Sequence, residues 1–206
     1  MARPRTVSDD EVLERIADSL EGDTGPWSLE SAAAATGLHA ATLIKRFGSR
    51  HGLLLALSRR WIAGIPEGAT GDDAVGELRR WAASLADPGA GVPAAEETTN
   101  SDDNGGTAVA VATRTLARID MLVEDLRDPE LRLLLHEGWS KHLAHLTALV
   151  GRAQDDGRLR AALPAPQLAR LLLDAAHGGI LRDAVDPDST GTASSDSVLT
   201  ALEAFA

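Results

Sequence analysis

Cysteine and tyrosine are absent from this sequence of 206 residues, and aromatic residues make up only 3% of it. The lack of cysteine excludes a disulfide-stabilised scaffold, thiol catalysis and thiolate metal sites. Val and Ile are scarce beside Ala and Leu, which leaves few residues that favour strands, so we expect an all-α protein. No apolar run reaches the ~18 residues of a transmembrane helix. The basic N-terminus leads into acidic residues rather than a signal peptide, so we expect a cytoplasmic protein with no membrane partner.

The net charge of −11 is distributed unevenly along the chain. Residues 1–60 carry as many basic as acidic residues, so the whole negative excess lies in residues 61–206. No acidic residue lies between Glu30 and Glu67, a segment that contains Lys45, Arg46 and further arginines. Because local charge decides whether a surface can approach phosphate, this segment is a candidate nucleic-acid interface. The alternative is an ordinary basic face exposed to solvent.

About nine helices are predicted from apolar periodicity and capping residues. Ser8 and Glu11 have the spacing of a capping box at the start of the first helix, which Gly22 ends. The fourth helix is expected to bury a stripe of Leu53, Leu54, Leu57 and Trp61. Residues 87–106 lack periodicity and are rich in Gly, Pro and acidic residues, which predicts a flexible loop. The helices after the first are expected at 28–37, 40–47, 48–64, 72–86, 107–127, 129–154, 166–185 and 196–205.

Residues 28–47 have the pattern of a helix-turn-helix motif. Gly37 permits a tight turn between two short helices, and the second helix is then available for the major groove. Small residues at its start allow close approach to DNA, and donors follow them. Two packed helices with no role in DNA binding are the alternative. The candidate DNA-contacting residues are Ser28, His39, Ala40, Ala41, Thr42, Lys45, Arg46 and Arg50.

This region resembles the DNA-binding region of the tetracycline-repressor (TetR) family, in detail over residues 8–58 and only in helix number, length and order beyond them. The family shows Ala-Gly-Val-Ser, a small pair, Thr-Leu-Tyr, a variable residue, His-Phe, a spacer, Ser-Lys and Leu-Leu. The matching positions are Gly37, Thr42, Leu43, Phe47, Ser49, Leu53 and Leu54. The chain departs from the pattern where Ile44 replaces a Tyr, His39 a Ser or Thr, Arg46 a His or Tyr, and Arg50 a Lys. The family's Tyr commonly contacts a phosphate, so that contact is missing here, whereas Arg50 keeps a cation.

The resemblance implies a homodimeric transcriptional repressor that a small-molecule effector releases from double-stranded operator DNA. We expect a DNA-binding headpiece at 1–47, a connecting helix at 48–64, and a regulatory and dimerisation domain at 65–206. Apolar residues with a few polar neighbours are candidates for the effector pocket, namely Trp81, Met121, Leu122, Trp139, His142 and His177. Two C-terminal stripes resemble the family's four-helix dimer interface, with intramolecular core as the alternative. Their residues are Leu168, Leu171, Leu172, Ala175, Gly179, Val198, Leu202 and Phe205.

A helical metal-binding or catalytic protein is the alternative function. His142 and His145 lie three residues apart on one predicted helix, and His136 is nearby, although no carboxylate has matching spacing. The sequence contains no nucleophile elbow, no phosphate-binding Gly-x-x-x-x-Gly-Lys and no His-Glu-x-x-His motif. We therefore expect a protein that is not an enzyme and needs no cofactor.

Overall fold

A computed structural model describes residues 7–22, 27–86, 104–186 and 188–206, and all regular secondary structure in these ranges is α-helical. The elements are α1 (Asp9–Gly22), α2 (Leu29–Thr36), α3 (Ala40–Phe47), α4 (Arg50–Gly64), α5 (Ala74–Ala83), α6 (Asn104–Arg127), α7 (Pro129–Asp155), α8 (Ala165–Val185) and α9 (Ala193–Phe205). The all-α prediction is confirmed. Each predicted helix is present, with ends within one turn of those expected.

Side-chain caps account for several of the helix starts. Ser49 Oγ accepts a hydrogen bond from the Gly52 N–H at 2.9 Å, and an Asp73 carboxylate oxygen accepts one from Gly76 at 3.0 Å. Asp128 caps α7 in the same way, and Pro129 occupies the first turn, where its missing N–H costs nothing. The loop predicted at 87–106 ends earlier than expected, because residues 104–106 already belong to α6. Residues 87–103 lie outside the described residues.

A small core joins α1, α2, α3 and the first turns of α4. Val12 and Ile16 of α1 are fully buried, as are Leu43 of α3 and Leu53 of α4, and Ala32 of α2 lies among them. These apolar residues recur at helical spacing, so each helix turns one stripe inward. The three N-terminal helices therefore pack as one unit around the start of α4.

The larger core is formed by α5, α7, α8 and α9. Glycine allows α8 and α9 to approach closely, since a Cβ at Gly179 would lie 2.2 Å from Cα of Ser194. Ser194 then donates its hydroxyl hydrogen to the Ala176 carbonyl at 2.8 Å. Five of the residues predicted for a dimer interface are buried here within a single chain, namely Leu168, Leu172, Gly179, Val198 and Leu202. Packing within the larger core therefore covers these five residues in the single chain, and their place in a dimer interface stays a prediction.

Helix α4 connects the two cores and packs along α7. The indole of Trp61 lies on Gly138 of α7, where a Cβ would come within 2.0 Å of the ring. The residue is nevertheless 40% exposed. The expectation that Trp61 is buried in the α4 stripe is therefore wrong, and Ile62 takes the inward position at this turn. None of the helices in the described ranges is long and apolar enough to cross a membrane.

Candidate nucleic-acid interface

The turn between α2 and α3 combines a serine cap with a left-handed glycine. Ser28 Oγ accepts a hydrogen bond from the Ser31 N–H at 3.0 Å, and Ser31 Oγ accepts one from the Ser28 N–H at 3.0 Å. Gly37 has a φ of 67°, and the Leu38 N–H returns to the Ala33 carbonyl at 3.2 Å. A residue with a Cβ is strained in this conformation, so Gly37 sets the angle at which α3 leaves α2. Ser28 is occupied as the cap.

The outward face of α3 combines small side chains with an unpaired cation. Leu43 is fully buried beneath the helix, which turns the opposite side to solvent. Lys45 is exposed and has no ion-pair partner among the residues that the structure describes. No acidic residue occurs in α3. Of the predicted DNA-contacting residues, those with exposed or half-buried side chains on α3 or at its cap are His39, Ala40, Ala41, Thr42, Lys45 and Arg46.

Arg46 points toward α1 rather than outward with Lys45. Its Nη2 donates a hydrogen bond to the Val7 carbonyl, and its Nε lies 3.4 Å from Oδ1 of Asp9. The side chain is 21% exposed, and its Nη1 is buried without a hydrogen-bond partner in the described part of the chain. In this conformation Arg46 ties α3 to the start of α1, so it is not a free donor toward DNA.

Arg50 and His51 join the first turn of α4 to the corner between α6 and α7. Both guanidinium Nη atoms of Arg50 donate to the carboxylate of Glu124, with Nη2 at 2.8 Å from Oε2. The guanidinium also lies 4.6 Å from the ring centroid of Trp27. His51 Nε2 is 2.8 Å from Oε2 of Glu130. We call Glu124, Asp128 and Glu130 the acidic corner. Arg50 is predicted from the sequence to contact a phosphate, but in this structure it pairs with Glu124 of the acidic corner.

The electrostatics of the acidic corner follow from these contacts. The hydrogen bond from Arg50 lowers the pKa of Glu124, and the same bond raises the pKa of Arg50. The hydrogen bond to Glu130 raises the pKa of His51, so the corner favours the protonated imidazole. Burial, and then the charges of Glu124 and Asp128, raise the pKa of Asp125 to about 6. Near neutral pH the corner is therefore a region of closely packed negative charge that holds two basic side chains of α4.

The structure brings three of the residues predicted for an effector pocket near one another, because Trp139 lies against His177 with ring centroids 4.7 Å apart and the charge of His177 acts on His142. Trp81 packs against the larger core. A cleft of about 950 Å³ lies instead between α1 and α4, and His142 is the one member of the predicted set that lines it. His142 reaches the cleft beside Trp61, with ring centroids 5.8 Å apart. This cleft could not be predicted from sequence patterns, because its walls come from helices that are far apart in the chain.

The outward face of α8 carries apolar residues that one chain leaves uncovered. Leu171 is 43% exposed, Leu181 59% and Val185 79%. Ala175 of the same helix is half-buried, as is Phe205 of α9. Of the eight residues predicted for the dimer interface, Leu171, Ala175 and Phe205 thus remain accessible to a second protomer.

The three histidines predicted as candidate metal ligands lie in different environments. His145 is buried, and its Nδ1 lies 2.7 Å from the Gly68 carbonyl oxygen. His136 is exposed on another part of α7. Burial, and then the charges of His145 and His177, lower the pKa of His142. Within the described ranges, no group of three or more His, Cys, Asp or Glu residues is arranged to hold a metal ion.

Comparison with known proteins links the architecture to one group of solved structures. No family model matches the chain, and no curated protein matches it significantly. A TetR transcription regulator from Haloarcula marismortui is 16% identical with a TM-score of 0.63, and the match covers 95% of this chain and 96% of that one. GusR of Salmonella enterica is 18% identical with a TM-score of 0.51, over 96% of this chain and 98% of that one. The chain therefore has the fold of a TetR transcription regulator.

Proposed function

We propose that the protein is a transcription regulator that binds double-stranded operator DNA as a homodimer through α3. The observation that carries the proposal is the exposed face of α3, behind a glycine turn, with small residues, no acid and one lysine that is unpaired among the described residues. The likeness of the whole chain to a TetR regulator supports it. Residues 1–47 act as the headpiece, 48–64 as the connection, and 65–206 as the regulatory and dimerising part.

On DNA, α3 lies in the major groove with its N-terminal turn toward the bases. His39 and Thr42 can donate or accept hydrogen bonds there, and the methyl groups of Ala40 and Ala41 allow close approach. Lys45 contacts phosphate or a guanine edge. Arg50 adds a phosphate contact only after it leaves the acidic corner, because one guanidinium cannot fill both sites.

Two protomers associate through the outward face of α8. Leu171, Leu181 and Val185 recur along one side of this helix, where a symmetric partner would cover each of them with the same surface. A two-fold dimer places two α3 helices on one face of a duplex, about 34–36 Å apart. A small molecule that favours a different separation acts as the effector and releases the repressor.

The DNA-binding proposal is tested by selecting bound sequences from a randomised duplex library and measuring their affinity by fluorescence anisotropy against salt. Lys45→Ala should weaken binding and reduce the salt slope by about one counterion per protomer if Lys45 contacts phosphate. Arg79→Ala is the matched control, because Arg79 is an exposed cation on α5, away from α3. Recovery of no enriched sequence, or equal losses in the two variants, would refute the assignment of α3.

The dimer is tested by sedimentation velocity. Leu181→Asp should yield monomers, because it places an unpaired carboxylate in an apolar seam. Leu133→Asp is the control, since Leu133 is 68% exposed on α7 and lies on another surface. A Leu181→Asp variant that sediments with the wild-type dimer would contradict the assignment of the α8 face.

A further inference from the structure

The cleft between α1 and α4 has the chemistry of a ligand site that the proposed function does not use. Its volume of about 950 Å³ is at the upper end of the range for small-molecule pockets. Leu13 and Ala17 of α1 form one wall, and Trp61 of α4 with Ile65 beyond it forms the other. Trp61 is 40% exposed, and its indole supplies flat apolar surface to this cleft.

Cations line the same cleft. Arg59 is exposed and has no ion-pair partner among the described residues, and Arg60 lies 3.3 Å from Glu14. Asp10 is the one carboxylate that lines the cleft, and it is exposed to solvent, which screens it. Because Glu14 compensates Arg60, Arg59 is the cation of the lining that the described residues leave unpaired, and its guanidinium provides a planar fork suited to a carboxylate.

His142 of α7 also lines the cleft, beside the Trp61 ring. Its lowered pKa favours the neutral imidazole, which adds an aromatic surface and a hydrogen-bonding nitrogen rather than a second charge. The lining of the cleft thus combines apolar side chains with one guanidinium that has no ion-pair partner in the described part of the chain.

We propose that this cleft binds a small organic anion in which an aromatic or aliphatic body carries a single carboxylate. The apolar body lies against Trp61 and Leu13, and the carboxylate pairs with Arg59. Because the cleft is lined by both α1 and α4, an occupant fixes the angle between these helices. The role of that angle in releasing DNA rests on the function proposed above, whereas the binding itself does not.

Binding is tested on the full-length protein without DNA. The probes are phenylacetate, 4-phenylbutyrate and octanoate, each compared with its uncharged amide by isothermal calorimetry and tryptophan emission. At least one carboxylate should bind saturably in the millimolar range or tighter and change the emission, and its amide should bind at least about tenfold more weakly. Equal binding of acid and amide, or no saturable binding of any acid, would overturn the proposal.

Three variants assign the binding to this cleft. Arg59→Gln should weaken carboxylate binding about tenfold, whereas Arg79→Gln, an exposed cation on α5, should leave it unchanged. Trp61→Phe should abolish the change in emission while calorimetric binding persists, and circular dichroism confirms that each variant is folded. Equal effects of the two arginine variants, or an unchanged emission signal in Trp61→Phe, would place the ligand elsewhere and overturn the proposal.

The effect on DNA is measured separately, by titrating the bound carboxylate into a complex with a selected duplex. Weaker duplex binding in the wild type, lost in Arg59→Gln, supports the regulatory role. If no duplex is ever bound, the proposed function fails, and the calorimetric comparison of acid with amide still decides whether the cleft is a site.

Discussion

Removing the negative charge of Glu124 should strengthen operator binding while it weakens the fold. In the Glu124→Gln variant, Arg50 loses its bidentate partner across 74 residues of sequence. The Arg50 side chain is 40% exposed and that of Glu124 36%, so solvent screens the pair. We take about 1 kcal/mol for it, the upper end for exposed ion pairs, because the contact is bidentate.

Loss of this ion pair lowers the stability of the free protein and raises its affinity for DNA. In the free protein the loss of the pair should lower the midpoint of thermal unfolding by about 2–4 °C. In the proposed complex with DNA, Arg50 exchanges its Glu124 partner for a phosphate, so the wild type gives up that ~1 kcal/mol on binding and the variant does not. The expected gain in affinity is about fivefold for each protomer, or about thirtyfold for a dimer.

The assay is fluorescence anisotropy on a selected duplex at fixed salt, with thermal unfolding followed by circular dichroism. Glu137→Gln serves as control, since Glu137 is an exposed residue of α7 and its loss changes the net charge equally. The gain attributed to Arg50 is the excess of Glu124→Gln over this control. An affinity that is unchanged or reduced relative to the control would refute the competition between Glu124 and phosphate for Arg50.

Three further predictions concern stability. Because the pKa of His51 is raised in the folded state, its contribution to the free energy of unfolding is complete below the unfolded pKa of about 6.5 and is lost as pH rises through the folded pKa. Glu130→Gln should reduce this dependence of stability on pH, as measured by urea unfolding. The pKa of Asp125 is raised to about 6, so Asp125→Asn should stabilise the protein at pH 7 by about 1–2 kcal/mol after allowance for solvent screening, with the effect lost near about pH 2, below both pKa values, where both states bind the proton. Gly138→Ala should cost about 1–3 kcal/mol by forcing a Cβ into the Trp61 ring, and the cost should fall in a Trp61→Ala background, as a double-mutant cycle will measure.

The helices could be predicted from the sequence because their signals are local. The Ser28 cap, the glycine at position 37 and the proline at the start of α7 each act within one or two turns. Apolar spacing likewise shows which side of a helix faces inward, as it does for α1. These features depend on residues that are close in the sequence, so they can be predicted from the sequence alone.

The partners of the predicted site residues could not be read in the same way. Arg46 and Arg50 follow the pattern of DNA-binding cations, yet their partners are Asp9 and Glu124, which only the folded chain brings near. The stripes of α8 and α9 are equally apolar whether a second protomer or the same chain covers them. Periodicity identifies Leu172 as a buried residue, but it does not indicate whether the same chain or a second protomer buries it.

The contact between Trp61 and Gly138 gives α4 the geometry of a lever arm. The helix has 15 residues, and the stretch from Trp61 back to Arg50 is about 16 Å long. If α4 pivots where the Trp61 indole contacts Gly138, a rotation of the helix by about 10° displaces its Arg50 end by about 3 Å. In a two-fold pair the two ends move in opposite directions, and the gap between the α3 helices changes by up to about 6 Å, with no hydrogen bond inside α4 broken.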